Sequence, residues 1–339
     1  GYSVKFLGDN FLHEEPYSTT LQQMGVEILY GPGYQAGIWD WLTKNKDEID
    51  FAYLNRPHIA IKYIEFIKKN TNIKVIYYGH DLHFLREYRE YELTGDIQKK
   101  RESDYWKSIE FSLMEKAAVS YYPSYVEEEA IHAIHPEYKI RAITAYVYEK
   151  FLENIDKDFE KREGLLFVGG FAHPPNADAV LWFAKEIFPL IRQKLDVNFY
   201  VVGSKVTDEI KALEQPGSGI IVKGFVTEEE LASLYSTSRI VVVPLRYGAG
   251  VKGKVVEAVY NGSAIVTTSI GSEGIPEAER VMKVADGPEA FADEVVKMYQ
   301  DPAECRRMCE ETQKYIREYF SVEAAWKVIE GDFTPEKKR

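Results

Sequence analysis

The chain has 339 residues, of which 45% are hydrophobic and 28% are charged, a composition typical of a soluble globular protein of two domains. Its formal net charge is −12 at pH 7, so its bulk surface repels nucleic acid, and we expect no nucleic-acid partner. No apolar run approaches the roughly 20 residues that span a bilayer, and the first residues lack the pattern of a signal peptide. These features predict a cytoplasmic protein.

Short β-rich runs alternate with amphipathic helical segments along the chain. The first half contains such runs at 3–8, 26–31, 50–55, 74–79 and 118–124. The second half contains them at 164–170, 197–203, 219–224, 239–245, 263–269 and 281–286. Helical patterns separate most of them, for example at 58–70, 176–195 and 227–236. Because near-continuous apolar strands are buried on both faces, the pattern indicates parallel sheets covered by helices.

The alternation predicts an α/β protein with two Rossmann-like, doubly wound parallel-sheet domains that face a cleft. The polar segment ENIDKDFEKREG places the boundary between a first domain at 1–155 and a second at 156–315. Residues 316–339 are predicted as a C-terminal helix that packs back on the first domain. A doubly wound domain usually opens with a strand and a Gly-rich turn, so we expect the first domain to lack its first strand and helix.

The segment RYGAGVKGKVVEA (246–258) allows three interpretations. Its glycines spell the G-x-G-x-x-G dinucleotide pattern, and Glu273 follows at a suitable distance. That fingerprint normally opens a domain, however, whereas this segment follows the fourth strand of the second domain. The spacing also fits a P-loop, but Val255 stands where a P-loop needs Ser or Thr.

The third interpretation makes the same segment an anion site. Gly248 and Gly250 let the backbone turn tightly and approach a ligand. A helix predicted to begin near Val251 offers unpaired N–H groups and the positive end of its dipole. Lys252 and Lys254 add charges for a diphosphate.

Glu257 lies about one turn into the predicted helix, where its carboxylate can accept hydrogen bonds from two sugar hydroxyls. A diphosphate at the helix start with a carboxylate one turn behind fits a nucleotide. Two alternatives remain open: Glu257 and Lys254 form an ordinary ion pair along the helix, and Lys252 is a solvated lysine.

Three stretches, 165–191, 198–245 and 239–275, resemble the donor-site segments of GT-B-fold glycosyltransferases of the family-4 type. The resemblance implies that the second domain binds a nucleotide-sugar and that Glu257, the second Glu of an E-x7-E motif, holds the ribose. The first Glu of that motif falls on Ala249, so half of the motif is missing. The stretch instead resembles the G-x-G-x-K-x-K-x-x-E-A version of a subgroup of the family.

The Arg and Lys that the family usually carries after the first strand of this domain are absent from 169–176. The resemblance leaves Lys205 or Arg246 to supply that charge to the donor. Gly169 and Gly170 are predicted to approach the donor through their backbone, and a plain turn is the alternative.

The segment KVIYYGHDLHFLREYRE (74–90) places polar residues at the carboxyl end of a predicted strand, where open α/β sheets bind ligands. His80 and Asp81 stand at that end, and His83 and Arg86 follow on a predicted helix. A histidine that is near neutral at pH 7 can bind a sugar or an incoming hydroxyl, and Asp81 can act as its base or orient it. The alternative is that Asp81 caps the helix and one histidine only packs.

Arg56 follows another predicted strand and is predicted, with Arg86, to bind the acceptor, unless it forms a structural salt bridge. The resemblance implies front-face attack with retention, in which the leaving diphosphate helps to deprotonate the acceptor. The D-x-D pattern at 156–158 lies in the linker and reads as solvated charge. We therefore expect no metal and no cofactor, with the nucleotide-diphosphate sugar as co-substrate.

The sequence thus predicts a retaining glycosyltransferase, a hexosyl- or deoxyhexosyltransferase, in surface polysaccharide or glycoconjugate synthesis. Its expected partners are a nucleotide-sugar donor and a glycan, lipid-linked or protein acceptor. Peripheral association with the inner face of the membrane is compatible with this function, and no oligomeric state is predicted. Two alternatives remain: a sugar-nucleotide epimerase of the same architecture, and a catalytically silent module that binds a glycan or a nucleotide-sugar.

Overall fold

The computed structural model describes residues 2–248 and 250–334. The position of the missing first Glu, Ala249, lies outside the described residues, as do residue 1 and residues 335–339.

The described chain divides into two compact units. The first comprises residues 2–79, 108–121 and 332–334, and the second comprises His80–Lys107 and Tyr122–Gly331 apart from residue 249. Each unit is held together mainly by contacts among its own residues. The domain boundary that the sequence predicts near residue 155 stays a prediction, and so does the docking of the C-terminal helix.

The elements up to residue 142 are short strands that alternate with helices. The strands are β1 (Lys5–Phe6), β2 (Glu27–Ile28), β3 (Phe51–Asn55), β4 (Lys74–Tyr78), β5 (Val119–Tyr122) and β6 (Ile140–Ala142). The helices are α1 (Tyr17–Gln23), α2 (Pro32–Asn45), α3 (Pro57–Asn70), α4 (His83–Thr94), α5 (Ile97–Lys116) and α6 (Tyr125–His132). Strands β1 and β2 pair in parallel as a separate sheet, and a four-stranded sheet has the order β3-β4-β5-β6.

The same alternation continues after residue 160. The strands are β7 (Leu165–Val168), β8 (Phe199–Val202), β9 (Ile220–Gly224), β10 (Ile240–Val243), β11 (Ala264–Thr267) and β12 (Lys283–Val284). The helices are α7 (Pro174–Trp182), α8 (Phe188–Arg192), α9 (Asp208–Lys211), α10 (Glu228–Thr237), α11 (Gly253–Tyr260), α12 (Ser269–Ser272), α13 (Pro288–Tyr299), α14 (Pro302–Tyr319) and α15 (Val322–Ile329).

Strands β7 to β12 form one parallel sheet in the order β12-β11-β10-β7-β8-β9. The chain enters in the middle of this sheet, runs to one edge, and returns to build the other half. The strand order therefore reverses between β7 and β10, which is the point where doubly wound sheets bind ligands at the carboxyl ends of their strands. The prediction of an α/β fold with parallel sheets is confirmed.

The core of the second unit lies against both faces of this sheet. All four residues of β10 and of β11 are buried, as their continuous apolar sequence predicts. Phe183 packs at 4.6 Å from the ring of Phe199 and at 6.0 Å from that of Phe291. Each buried aromatic or aliphatic side chain stabilises the fold by about 1.5–3 kcal/mol.

Two elements differ from the sequence prediction. The helical segment predicted at 176–195 is interrupted, because α7 ends at Trp182 and a π-helical turn at Phe183–Ile187 leads into α8. Pro189, in the first turn of α8, has no N–H for the helical ladder and favours a new helix start. Strand β6 was not predicted, because it has three residues and only Ile140 is buried.

The carboxyl ends of β7 and β8 approach each other closely. Gly203 follows β8 with φ 154°, and its N–H donates to the carbonyl oxygen of Gly224 at 2.8 Å. A Cβ at Gly203 would lie 2.0 Å from the carbonyl oxygen of Gly169. Only glycine fits this position.

None of the helices within the described ranges is long and apolar enough to cross a membrane.

Replacement of Gly203 by Ala should destabilise the second unit, because the new Cβ clashes with the backbone at Gly169. We expect the free energy of unfolding, measured by urea denaturation, to fall by about 3 kcal/mol or more. Gly217→Ala is the matched control: Gly217 has φ 79° but open space around it. That variant should lose only about 1 kcal/mol, and equal losses in both variants would contradict the close approach.

Candidate functional site

The loop between β10 and α11 has the backbone that an anion site requires. Gly248 has φ 139° and Gly250 has φ 72°, conformations that residues with side chains rarely adopt. Helix α11 begins at Gly253, two residues later than predicted, so Val251 lies in the loop. The hydroxyl of Tyr146 fills the space at this helix start, since a Cβ at Gly253 would lie 2.6 Å from it.

Lys254 is a mostly buried cation that extends from α11 to the turn after β7. Its Nζ donates to Oδ1 of Asn176, and a Cβ at Gly169 would lie 3.1 Å from its Cε. No carboxylate pairs with Lys254 within the described ranges, so it does not form the helix pair with Glu257. Burial, together with the nearby charge of Lys252, lowers the pKa of Lys254 to about 8.

The turn after β7 presents backbone and an amide side chain to Lys254. The Gly169 N–H donates to the carbonyl oxygen of Val202 at 2.9 Å, and Nδ2 of Asn176 donates to the carbonyl oxygen of Gly170 at 2.7 Å. Asn176 therefore joins Gly170 to Lys254 across the switch point. Asn176 is not among the predicted site residues, although the Pro-Pro-Asn run that contains it comes shortly after a Gly-rich strand end.

His173 is a second residue of this turn that the sequence analysis did not select. It occupies the N-cap position of α7. Burial lowers its pKa, and the charges of Lys254 and Arg86 act in the same direction, whereas Asp81 opposes them. A neutral imidazole is therefore favoured at the point where the predicted donor and catalytic residues meet.

Glu257 lies one turn behind the start of α11, as predicted, in a niche of tyrosines. Burial raises the pKa of its carboxyl, and the hydroxyl of Tyr235 stabilises the ionised form. Tyr148 also interacts with Glu257 and stacks on Tyr260 with ring centroids 4.1 Å apart. The carboxylate is thus half-buried and faces hydroxyl groups, an environment in which it can accept further hydrogen bonds.

Asp81 lies in the turn between β4 and α4, where it is held by cationic and imidazole groups. Arg86 donates to its Oδ2, and Nδ1 of His83 lies 3.3 Å from its Oδ1. Helix α4 has Leu82 at its N-cap, so Asp81 is not the capping residue. His83 also packs on Trp106, with ring centroids 5.0 Å apart. His80, just before Asp81, has φ 70°, a strained conformation that is typical of functional sites.

Gly250 brings the predicted donor loop against the predicted catalytic segment, both of which belong to the second unit. A Cβ at Gly250 would lie 3.5 Å from Cβ of Asp81 and 3.3 Å from Oε1 of Glu127. Donor-side and catalytic residues predicted independently of each other therefore lie side by side.

Three predicted site residues make no contact, among the described residues of their own units, with the cluster of Gly250, Asp81 and Glu127. Arg246 is held by Asp178, with its Nε 2.9 Å from Oδ2, and lies over the ring of Trp182. Lys205 is exposed after β8 with φ 56°, and Arg56 precedes α3 in the first unit with φ 64°. Their predicted roles at the donor and the acceptor stay predictions.

Lys252 is buried, so the alternative of a solvated lysine is wrong. Only 8% of its side chain is exposed, and its Nζ donates to the carbonyl oxygen of Gly250 and lies 3.5 Å from Oε2 of Glu273. Glu273 also receives two hydrogen bonds from Arg89, a residue that the sequence analysis did not select. Glu273, the acidic residue that the dinucleotide interpretation depends on, is therefore engaged by two cations.

Glu127 is a buried carboxyl that joins the start of its own helix to the turn before α4. Its Oε1 accepts from the N–H of Leu82 at 3.2 Å, and its Oε2 accepts from the N–H of Ser124 at 3.1 Å. Burial raises its pKa to about 8, and the charge of Asp81 acts in the same direction. The Ser124-x-x-Glu127 capping box is a sequence signal that could have identified it.

The comparisons with known proteins agree with this architecture. Residues 162–301 match the family model described as Glycosyl transferases group 1. Over 116 residues the chain is 32% identical to an uncharacterized 44.6 kDa protein in the cps region of Klebsiella pneumoniae. That match covers 32% of this chain and spans only 30% of the length of that protein.

Solved structures resemble nearly the whole chain. Sucrose-phosphate synthase from Thermosynechococcus elongatus has a TM-score of 0.73 at 15% identity, over 98% of this chain and 88% of that chain. A glycosyltransferase from Rickettsia africae has a TM-score of 0.68 at 13% identity, over 96% and 88%. HepE of Anabaena in complex with UDP and glucose has a TM-score of 0.64 at 14% identity, over 94% and 89%. At such low identity these likenesses establish a shared fold.

The pKa of Glu127 makes stability depend on pH. Its folded pKa, about 8, lies above the ordinary value of 4.5, so its contribution to stability is full below about pH 4.5 and is lost as the pH rises to 8. The free energy of unfolding of Glu127→Gln should lack this decline, which reaches at most about 1.4 kcal/mol per pH unit. Urea titrations between pH 5 and 8 measure it, with Glu129→Gln, an exposed position on the same helix, as the control. Identical slopes in wild type and Glu127→Gln would refute the assignment.

Proposed function

We propose that this chain, whose residues 162–301 form a glycosyl transferases group 1 domain, transfers a sugar from a nucleoside-diphosphate donor to a hydroxyl acceptor. The observation that carries the proposal is the buried ammonium of Lys254 at the start of α11 and at the switch point of the sheet. Within the described ranges it is paired with the amide oxygen of Asn176 and with no carboxylate. A diphosphate supplies the missing negative charge.

The prediction of a GT-B glycosyltransferase fold is confirmed, and the family-4 type stays a prediction.

Three features support a nucleotide as the ligand. Lys254 lies in the first turn of α11, near the positive end of the helix dipole, a position that suits a diphosphate. Glu257 lies one turn behind them and suits the ribose hydroxyls. HepE, which shares the fold, was solved with UDP and glucose, which supports a nucleotide-diphosphate sugar as the donor class.

The acceptor is less closely defined than the donor. The relative in the cps region of Klebsiella pneumoniae supports a role in surface polysaccharide synthesis. We infer a glycan or another hydroxyl-bearing acceptor. Arg86, which holds Asp81, and Arg56 are its proposed contacts, and a peripheral membrane location is compatible with a lipid-linked acceptor.

In the proposed reaction the bond between the anomeric carbon and the diphosphate oxygen breaks, and the acceptor oxygen bonds to the anomeric carbon. The acceptor proton passes to the leaving diphosphate on the same face of the sugar, so configuration is retained. Lys254 and the amides before α11 stabilise the charge that develops on the diphosphate. Asp81, fixed by Arg86 and His83, orients the reacting groups. No metal or cofactor is required in this scheme.

Two variants test the donor site. Glu257→Ala and Lys254→Ala should each weaken nucleoside-diphosphate binding by about 2–3 kcal/mol, because a charged hydrogen-bonding partner is lost. Calorimetry with UDP-, GDP-, dTDP- and ADP-sugars measures this change. Lys211→Ala, an exposed lysine of α9, is the control and should bind as wild type.

A turnover assay for nucleoside-diphosphate release then separates the functions. Release that depends on an acceptor supports transfer, and a changed sugar nucleotide without an acceptor indicates an epimerase. Binding without turnover indicates a silent module. Unchanged affinity for every sugar nucleotide in both site variants would show that the donor site is misassigned.

The lowered pKa of Lys254 predicts that donor binding depends on pH. A bound diphosphate raises this pKa, so binding takes up a proton once the pH exceeds about 8, and affinity falls as the pH rises further. The charge of the diphosphate itself is nearly constant in this range, because its last pKa lies near 6. Calorimetry with UDP between pH 7 and 9.5 should show a steeper decline in wild type than in Lys254→Met. A flat wild-type profile would contradict the prediction.

A further inference from the structure

Under the glycine-rich loop lies a chain of buried ion pairs that contains no predicted catalytic residue. Arg89 of α4 donates to both carboxylate oxygens of Glu273, at 2.6 and 2.7 Å. Lys252 lies on the other side of this carboxylate, with its Nζ 3.5 Å from Oε2. The exposed fractions of the three side chains are 23%, 11% and 8% for Arg89, Glu273 and Lys252, so solvent screens the pairs little.

Both cations of this chain also hold a carbonyl oxygen of the loop. Nη1 of Arg89 donates to the carbonyl oxygen of Gly248 at 2.8 Å. Nζ of Lys252 donates to the carbonyl oxygen of Gly250. Glycine-rich loops bind anions through N–H groups, and a carbonyl oxygen that faces the anion repels it. The ion-pair chain removes that repulsion at two positions.

The direction of one N–H group follows from the same contact. The peptide bond between Gly250 and Val251 is trans and planar, so its N–H points away from its carbonyl oxygen. Because the carbonyl oxygen of Gly250 faces Lys252, the N–H of Val251 points away from Lys252. This N–H has no acceptor among residues 2–248 and 250–334.

Lys252 is also the less suitable of the two lysines as a phosphate ligand. Burial lowers its pKa, whereas the charge of Glu273 raises it, so its ammonium already has a carboxylate partner within the protein. Among the described residues, Lys254 has no such carboxylate partner, so its charge stays open to a ligand. An anion that binds here therefore supplies Lys254 with a counter-charge that Lys252 already has in Glu273.

We propose that Arg89, Glu273 and Lys252 are positioning residues, which turn the loop carbonyls away from the donor diphosphate and present its N–H groups. Lys252 then acts through the loop and does not contact the phosphates. This inference rests on the proposed function of the loop as a diphosphate site, and it assigns α4 a role in donor binding.

The substitution Glu273→Gln distinguishes positioning from simple charge, because the two predict opposite signs. If Lys252 and Arg89 contacted the phosphates, removal of a neighbouring negative charge would strengthen UDP binding. If they position the loop, loss of the pairs lets the carbonyls turn back, and we expect UDP to bind at least about ten-fold more weakly. Glu277→Gln, an exposed position that pairs with Arg280, changes the net charge equally and is the control.

Calorimetry with UDP and with uridine on the full chain completes the test. Glu273→Gln should weaken UDP binding and leave uridine binding unchanged, which a general loss of folding would not do. Arg89→Lys, which keeps the charge but not the two-pronged contact, should weaken UDP binding in the same way, with a thermal melt as the check on folding. Equal or tighter UDP binding by Glu273→Gln would overturn the inference. Failure of wild type to bind any nucleoside diphosphate would instead overturn the proposed function.

Discussion

An ammonium group that is mostly buried beside an amide oxygen is costly unless an anion binds it. Lys254 is in this situation, and the rest of the site is arranged around it. The reversal of strand order between β7 and β10 leaves a crevice at the carboxyl edge of the sheet. Helix α11 places Lys254 across that crevice, and Asn176 on the other side holds it in place. The sheet topology therefore places the charge of Lys254 at this crevice.

The turn that follows β4 belongs to the second unit, and its residues lie next to the loop that follows β10. Asp81 and Glu127 meet the loop at Gly250, where a Cβ would crowd both of them. Glycine is needed there for its backbone conformation and for the close approach. Glu127 binds the N–H groups of Leu82 and Ser124, so one buried carboxyl fixes the turn that carries Asp81. The predicted donor-side and catalytic groups are thus held in one packed unit.

Charges in this region fall into two classes. Arg89 and Lys252 both pair with Glu273 inside the protein and hold carbonyl oxygens of the loop. Lys254 and Glu257, by contrast, keep capacity for a ligand, since one lacks a carboxylate partner among the described residues and the other faces tyrosine hydroxyls. This separation lets a chain of strongly negative net charge hold an anion at one point.

The sequence by itself determined most of the strands, the parallel sheet of the second unit and the position of the glycine-rich loop. Apolar runs, glycine spacing and helix periodicity are local properties that a single chain displays. Only the tertiary structure decided the partner of each charge: Lys254 with Asn176, Arg246 with Asp178, and Lys252 with Glu273. These partners lie 78, 68 and 21 positions apart in the chain, so no local pattern reveals them. The burial of each lysine is likewise visible only in the tertiary structure. In a sequence a lysine looks the same whether it is solvated, paired or left for a ligand.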